Sequence, residues 1–224
     1  MRLTKFTQAC VLISDGDRSL LIDPTPMEPR AAELLADADA VLVTHGHRDH
    51  ADPAMLASAL GARPELRVWA PAGVVAEIRA ALPGASRPDA AAGFGERLTV
   101  AAPGDEFEAG GFSVRTFGGK HAEIHPELDT GENVTYLVDG RIYHPGDSFD
   151  EPGVPVEVLL LPTSGPWHST GGAMEFARAV APTRAIQIHE IFASEVGQNS
   201  MVQRIAGAAN VQLELLANGE STDL

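Results

Sequence analysis

Short apolar runs, each broken by glycine, proline or aspartate, recur along the chain and predict many brief strands and helices. Residues 9–13 and 19–22 flank Asp15-Gly16-Asp17, a hairpin pattern, and Pro24-Thr25-Pro26 closes the second strand. Residues 29–37 predict a short helix and 40–44 a buried strand. Asp52 before Pro53 has the form of an N-cap with proline in the first helical turn, opening a helix to Leu60. A strand at 67–70 precedes a helix at 72–82, whose Val75, Ile78 and Leu82 recur at helical spacing. Residues 83–96, rich in proline, glycine and alanine, predict a loop.

The second half starts with hairpins. Residues 106–109 and 112–115 flank Gly110-Gly111, and 134–138 and 141–144 flank Asp139-Gly140. The fully apolar run 158–161 reads as a central strand. A helix at 172–180, a strand at 185–189, a helix at 194–208 and a strand at 211–216 complete the pattern. Strands followed by helices in both halves fit an α/β fold of two mixed sheets packed face to face, with helices outside. No stretch is composed like a linker and no repeat is visible, so residues 1–224 are expected to form a single domain.

Composition narrows the picture modestly. With 44% hydrophobic residues but only 5% aromatics, alanine, valine and leucine must fill much of the core. The net charge of -15 repels phosphate backbones, and two bound dications would leave it at about -11. Nucleic acid is thereby a disfavoured partner. Cys10 is the only cysteine and sits in an apolar run, so no intrachain disulfide can form and an inert core residue is expected. The first residues lack a signal-peptide pattern and no run approaches a membrane span, which makes a soluble cytoplasmic protein the expectation. Nothing sets an oligomeric state.

The chemistry concentrates in Thr44-His45-Gly46-His47-Arg48-Asp49-His50, directly after an apolar strand. Imidazole and carboxylate are the nitrogen and oxygen ligands of first-row divalent metals, and four such groups in six positions have no cheap structural use. Three later segments end strands in similar groups: His121 after Gly118-Gly119-Lys120, Asp147 in His144-Pro145-Gly146-Asp147-Ser148, and His189. Strand ends converging on one sheet edge could hold two metal ions a few ångström apart. His125 competes with His121, although Pro126 restrains it to extended backbone suited to a loop. His144 could support a ligand or merely its own turn. Asp147 and Asp23 could each be simple turn residues, and His168 an ordinary loop residue.

On the His-x-His-x-Asp-His hexapeptide at 45–50, with His121, Asp147 and His189 following in order, the chain resembles the metallo-β-lactamase superfamily over nearly its whole length. The resemblance implies a four-layer αββα sandwich with the site at one edge. It implies that His45, His47 and His121 bind one divalent ion, that Asp49, His50 and His189 bind a second, and that Asp147 bridges them. Asp23 matches an early strand-end aspartate that would orient a ligand histidine. The Gly-Lys-His-Ala and His-Pro-Gly-Asp contexts look closest to the branch that includes ascorbate-6-phosphate lactonase-like proteins.

The reaction so implied is hydrolysis by a hydroxide bridging two ions, zinc by preference, with manganese or iron also compatible. The substrate would be a small-molecule lactone, ester, amide or phosphodiester. Asp49 would orient the nucleophile as well as bind metal, and His168 is the candidate for leaving-group protonation or substrate contact. Three other readings stay open: an RNA or phosphodiester nuclease, a diiron redox protein and a noncatalytic metal-binding protein. The redox branch usually carries glutamate where this chain has His47. Pro24 to Met27, Phe149, Pro166 to His168 and Phe192 flank the ligands and are expected to line a partly apolar pocket.

Overall fold

The computed structural model describes residues 1–82, 84 and 94–224, so most of the predicted loop at 83–96 lies outside the described residues. The first sheet contains β1 (Arg2–Lys5), β2 (Val11–Asp15), β3 (Arg18–Ile22), β4 (Ala40–Leu42), β5 (Arg67–Ala70) and β6 (Leu98–Val100). The second contains β7 (Glu106–Ala109), β8 (Phe112–Gly118), β9 (Val134–Val138), β10 (Ile142–His144), β11 (Val158–Pro162), β12 (Arg184–Ile188) and β13 (Gln212–Glu214). A last strand, β14 (Ser221–Asp223), returns to the first sheet, whose order is β14-β1-β2-β3-β4-β5-β6. The second runs β13-β12-β11-β10-β9-β8-β7. Both are mixed: β3 to β6 and β10 to β13 are parallel, and the remaining pairs antiparallel.

Strand periodicity sorts the side chains into layers. Leu20, Ile22, Leu42, Val158 and Leu160 turn into the core between the sheets with Phe112 and Tyr136. Their neighbours Leu21 and Val41 face outward and are covered by Leu35 of α1 (Ala31–Asp37), Leu56 and Leu60 of α2 (Pro53–Ala62), and Val75 and Ile78 of α3 (Ala72–Ala81). On the other outer face, Leu159 and Leu161 pack under Phe176 of α4 (Thr170–Val180) and Ile205 of α5 (Glu195–Ala209). Four layers in the order α, β, β, α result, as expected from the sequence. Asp52 does cap α2, accepting from the backbone N–H groups of Ala54 and Met55.

Some boundaries differ from the sequence reading for local reasons. The predicted strand at 9–13 starts at Val11, because residues 6–10 form a loop closed by Phe6 N to Cys10 O (2.8 Å) and Cys10 N to Thr7 O (3.2 Å). Cys10 is buried in the core. The strand at 40–44 stops at Leu42 because the Thr44 N–H is diverted to the side chain of Asp23 (2.8 Å). Among the described residues no helix is long and apolar enough to cross a membrane.

Candidate metal centre

Strands β4, β8, β10 and β12 end at one edge of the sandwich, and the loops leaving them carry the candidate ligands, His121 coming after β8. His45 to His50 leave β4, Asp147 follows β10, and His189 follows β12. Their donor atoms form two groups, His45, His47, His121 and Asp147, and Asp49, His50, Asp147 and His189, each with all atoms within 4.8 Å of one another. All seven residues proposed from the sequence as ligands thus meet, and Asp147 belongs to both groups. His121 is buried there, whereas His125 is exposed on the surface and its Nδ1 accepts the Glu127 N–H.

Hydrogen bonds fix which histidine nitrogens face inward. Asp23, fully buried, accepts from His50 Nδ1 (2.7 Å) and from the Thr44 hydroxyl (2.7 Å). That hydroxyl accepts in turn from His45 Nδ1 (3.0 Å). His121 Nδ1 donates to the Ala122 carbonyl (2.6 Å). In each case the outer nitrogen is committed and Nε2 faces the cluster. His144 behaves differently: Nε2 donates to the Ala9 carbonyl (2.9 Å) and Nδ1 accepts the Gly146 N–H (3.1 Å). It lies 4.0 Å from Asp23. Its bonds support the turn that presents Asp147, which favours the turn-supporting role over ligand support.

That turn needs glycine. Gly146 has φ +58°, and a Cβ there would collide with Asn133 Oδ1 and with Thr44 Cβ, at 2.7 Å. Asn133 meanwhile accepts the Asp147 N–H (3.0 Å) and donates to the Pro145 carbonyl (2.9 Å). Of the six non-glycine residues with positive φ among the described residues, three stand at this site: Gln8, Asp23 and His189. Backbone strain of this kind gathers at functional sites.

Charges within the cluster pull in opposite directions. Burial, then the neighbouring His50, pushes His45 well down; burial, then His121, lowers His47. Burial also opposes protonation of His50, but Asp147 and Asp23 on either side raise it well above the ordinary range. Burial works against ionisation of Asp147 and Asp49, and the adjacent histidines overcome it, taking Asp147 well below the usual carboxylate range and Asp49 to about 2.

The donor set fits divalent ions. His50 Nε2, His121 Nε2 and Asp147 Oδ1 are buried without a hydrogen-bond partner. Yet His50 Nε2 lies 3.0 Å from Asp147 Oδ1, and His121 Nε2 lies 3.3 Å from Asp147 Oδ2. Buried polar atoms left unpaired cost roughly 1–3 kcal/mol each. Atoms that crowd together without bonding each other are placed as ligands of a common ion would be. Imidazole and carboxylate without thiolate suit zinc, manganese or iron.

Around the cluster the surroundings are uneven. A cleft of about 370 Å³ is lined by His45, His47, Val74, Glu77, Asp129 and Glu132 among others, and by no lysine or arginine among the described residues. Elsewhere Phe192, 56% exposed, stacks on the His189 ring at 5.6 Å. Met27 is exposed too, whereas Pro24 and Thr25 are buried. Phe149 packs toward Phe176 beneath α4.

Two contacts at the cluster carry no clear sequence signal. Trp167, expected to line a pocket, is buried and donates its indole N–H to Asp147 Oδ2 at 2.8 Å. Gln8 approaches Asp49 Oδ2 (2.7 Å) and His189 Nε2 (2.9 Å) from the loop between β1 and β2. His168 hydrogen-bonds no candidate ligand among the described residues. Its Nε2 is buried without a partner, and burial, then His189, pushes it down to about 4, leaving a neutral imidazole at neutral pH.

A model of the beta-lactamase superfamily domain matches residues 2–189, and the chain belongs to that family. It is 33% identical over 221 residues to Protein Rv0786c of Mycobacterium tuberculosis, with 96% of each chain covered. Similarity extends to the UPF0173 metal-dependent hydrolase TV0864 of Thermoplasma volcanium, 31% identical over 199 residues, spanning 81% of this chain and 79% of that one. Among solved structures, Igni18, a metallo hydrolase from Ignicoccus hospitalis, superposes with a TM-score of 0.70 at 17% identity. The alignment covers 99% of this chain and 97% of that one, and the likeness establishes the shared fold.

Proposed function

We propose that the chain is a metal-dependent hydrolase of a small molecule, working through two divalent ions, zinc by preference, that share Asp147. The observation that carries this reading is the meeting of seven buried or half-buried ligating side chains in two overlapping groups. The relatives described as metal-dependent hydrolases support the reaction class. When bound, such ions supply Lewis acidity and an acidified water near neutral pH.

The chain's own residues do the rest. His45, His47 and His121 would hold one ion and Asp49, His50 and His189 the other. Asp23 keeps His50 in the tautomer with Nε2 inward. Asp49, partly exposed and ionised at neutral pH, can accept a hydrogen bond from the attacking water and orient it. His168, neutral and beside Trp167, is suited to contact substrate rather than to carry a reserve proton.

The acidic cleft beside His45 and His47 narrows the substrate. Glu77, Asp129 and Glu132 repel a phosphodiester or carboxylate and suit a neutral or cationic group, so a lactone, ester or amide is favoured. A net charge of -15 also weighs against nucleic acid. The test is a panel of matched substrates offered to metal-replete protein. Neutral or ammonium-bearing esters and lactones should turn over at least about tenfold faster than carboxylate-bearing isosteres, a difference of about 1.4 kcal/mol. No turnover of any ester, lactone, amide or phosphodiester, or tightly bound iron with a visible absorption band, would overturn the assignment.

A further inference from the structure

We propose that Gln8 is a positioning residue that sets how tightly the second ion is held, the one assigned to Asp49, His50 and His189. The inference rests on the two-ion reading of the cluster and adds a control that distinguishes the two sites. Gln8 is completely buried and has a left-handed backbone, φ +64°. Every one of its polar groups is engaged with one side of the cluster. Its carbonyl accepts the His189 N–H at 3.0 Å, and its own N–H donates to Glu190 Oε1 at 3.2 Å. Its Oε1 accepts the Ile191 N–H at 3.4 Å. Its amide nitrogen lies 2.7 Å from Asp49 Oδ2 and 2.9 Å from His189 Nε2.

Glu190, in turn, is tied to the buried Lys5 at 2.5 Å, so the strand before Gln8 and the residue after His189 are fastened together. Gln8 therefore touches two donors of the second group, and no hydrogen bond joins it to the side chains of His45, His47 or His121 among the described residues. The chemistry of the contact explains its direction. An amide N–H can only donate, so it occupies one lone pair of Asp49 Oδ2 and leaves the remaining carboxylate lone pairs for an ion. When the His189 lone pair is given to the ion, the bond to Asp49 stays. Neighbours that orient ligands in this way are worth about 10–100-fold in metal affinity. The left-handed backbone places the amide here, at a strain that the surrounding bonds hold in place.

The test is stepwise titration of metal-free protein with zinc against a chromophoric chelator, repeated with cobalt to follow the ligand-field bands of each step. Gln8→Asn tolerates positive φ and keeps the backbone bonds, but its amide is one methylene short of Asp49. It should weaken one step about 10–100-fold, alter the cobalt spectrum of that step, and leave the other step unchanged. Gln8→Gly adopts the same backbone without strain and removes the amide, and it should reproduce the loss. Two unchanged steps in both variants, or equal weakening of both steps, would overturn the inference while leaving the two-ion reading intact. Uptake of fewer than two ions by the unaltered protein would overturn that reading and the inference with it.

Discussion

Glu28 and Asp147 are both buried carboxylates, each 2% exposed, yet they sit in corners of opposite design. Glu28 is closed by protein donors: Thr7 N and Oγ1, Asn218 Nδ2, and the N and Nε of Arg30. These bonds tie the loop after β1 to the entry of α1 and to residue 218, and they ask for nothing further. Asp147 takes the Trp167 indole N–H and the His189 ring on Oδ2, while Oδ1 lies beside His50 without a hydrogen bond. Burial resists ionisation at both sites. Backbone and side-chain donors bring Glu28 to about 2, and surrounding histidines bring Asp147 down. A low carboxylate pKa alone does not distinguish scaffold from site. What separates these two is the unpaired Asp147 Oδ1 beside a histidine nitrogen.

The same chemical change in both corners should therefore have different consequences. Asp147→Asn keeps the shape but removes the charge shared by both ligand groups. Turnover should fall by about a hundred- to a thousandfold, on the order of the loss of a preorganised electrostatic contact, and both ions should bind weakly by equilibrium dialysis. Asp23→Asn touches the cluster only through His50 and Thr44. It should weaken metal binding about 10–100-fold, measurable by chelator competition. Trp167→Phe removes a single N–H from Asp147 and should cost about tenfold in the same assay, the lower end of that range.

Glu28→Gln should change neither metal content nor turnover. It should lower the unfolding free energy of the metal-free protein by about 2 kcal/mol, the scale of hydrogen bonds to a charged group. Because the folded-state pKa of Glu28 lies below the ordinary 4.5, its contribution is present above about pH 4.5 and is lost as pH falls toward 2. The gap between the two proteins in urea unfolding should close over that range. A gap that persisted at pH 2, or a loss of metal in Glu28→Gln, would break the contrast between the corners.

Much of the candidate site was legible because chemistry and chain order coincide. His45, His47, Asp49 and His50 fall within six positions just after one strand, so spacing alone exposes them. His121, Asp147 and His189 arrive from separate strands, and only their order within a family pattern joins them to the first four. Gln8 left no trace in the sequence: a glutamine in a short loop is unremarkable, and its positive φ follows from tertiary bonds to His189 and Glu190. Trp167 signalled an apolar wall through its ring, while its N–H was the part that mattered. The layered fold followed from apolar periodicity, but β1, β6 and β14 were missed. β1 and β14 are short and largely polar, and pairing with each other helps define them.

The measurement that tests the central claim most directly is a metal count combined with an anomalous-scattering crystal structure of the zinc-loaded protein. Two ions per chain are expected, roughly 3.5–4 Å apart, with Asp147 between them. One should sit among His45, His47 and His121, the other among Asp49, His50 and His189. A single ion, or ions bound elsewhere, such as at the exposed His125 and Asp129, would contradict it.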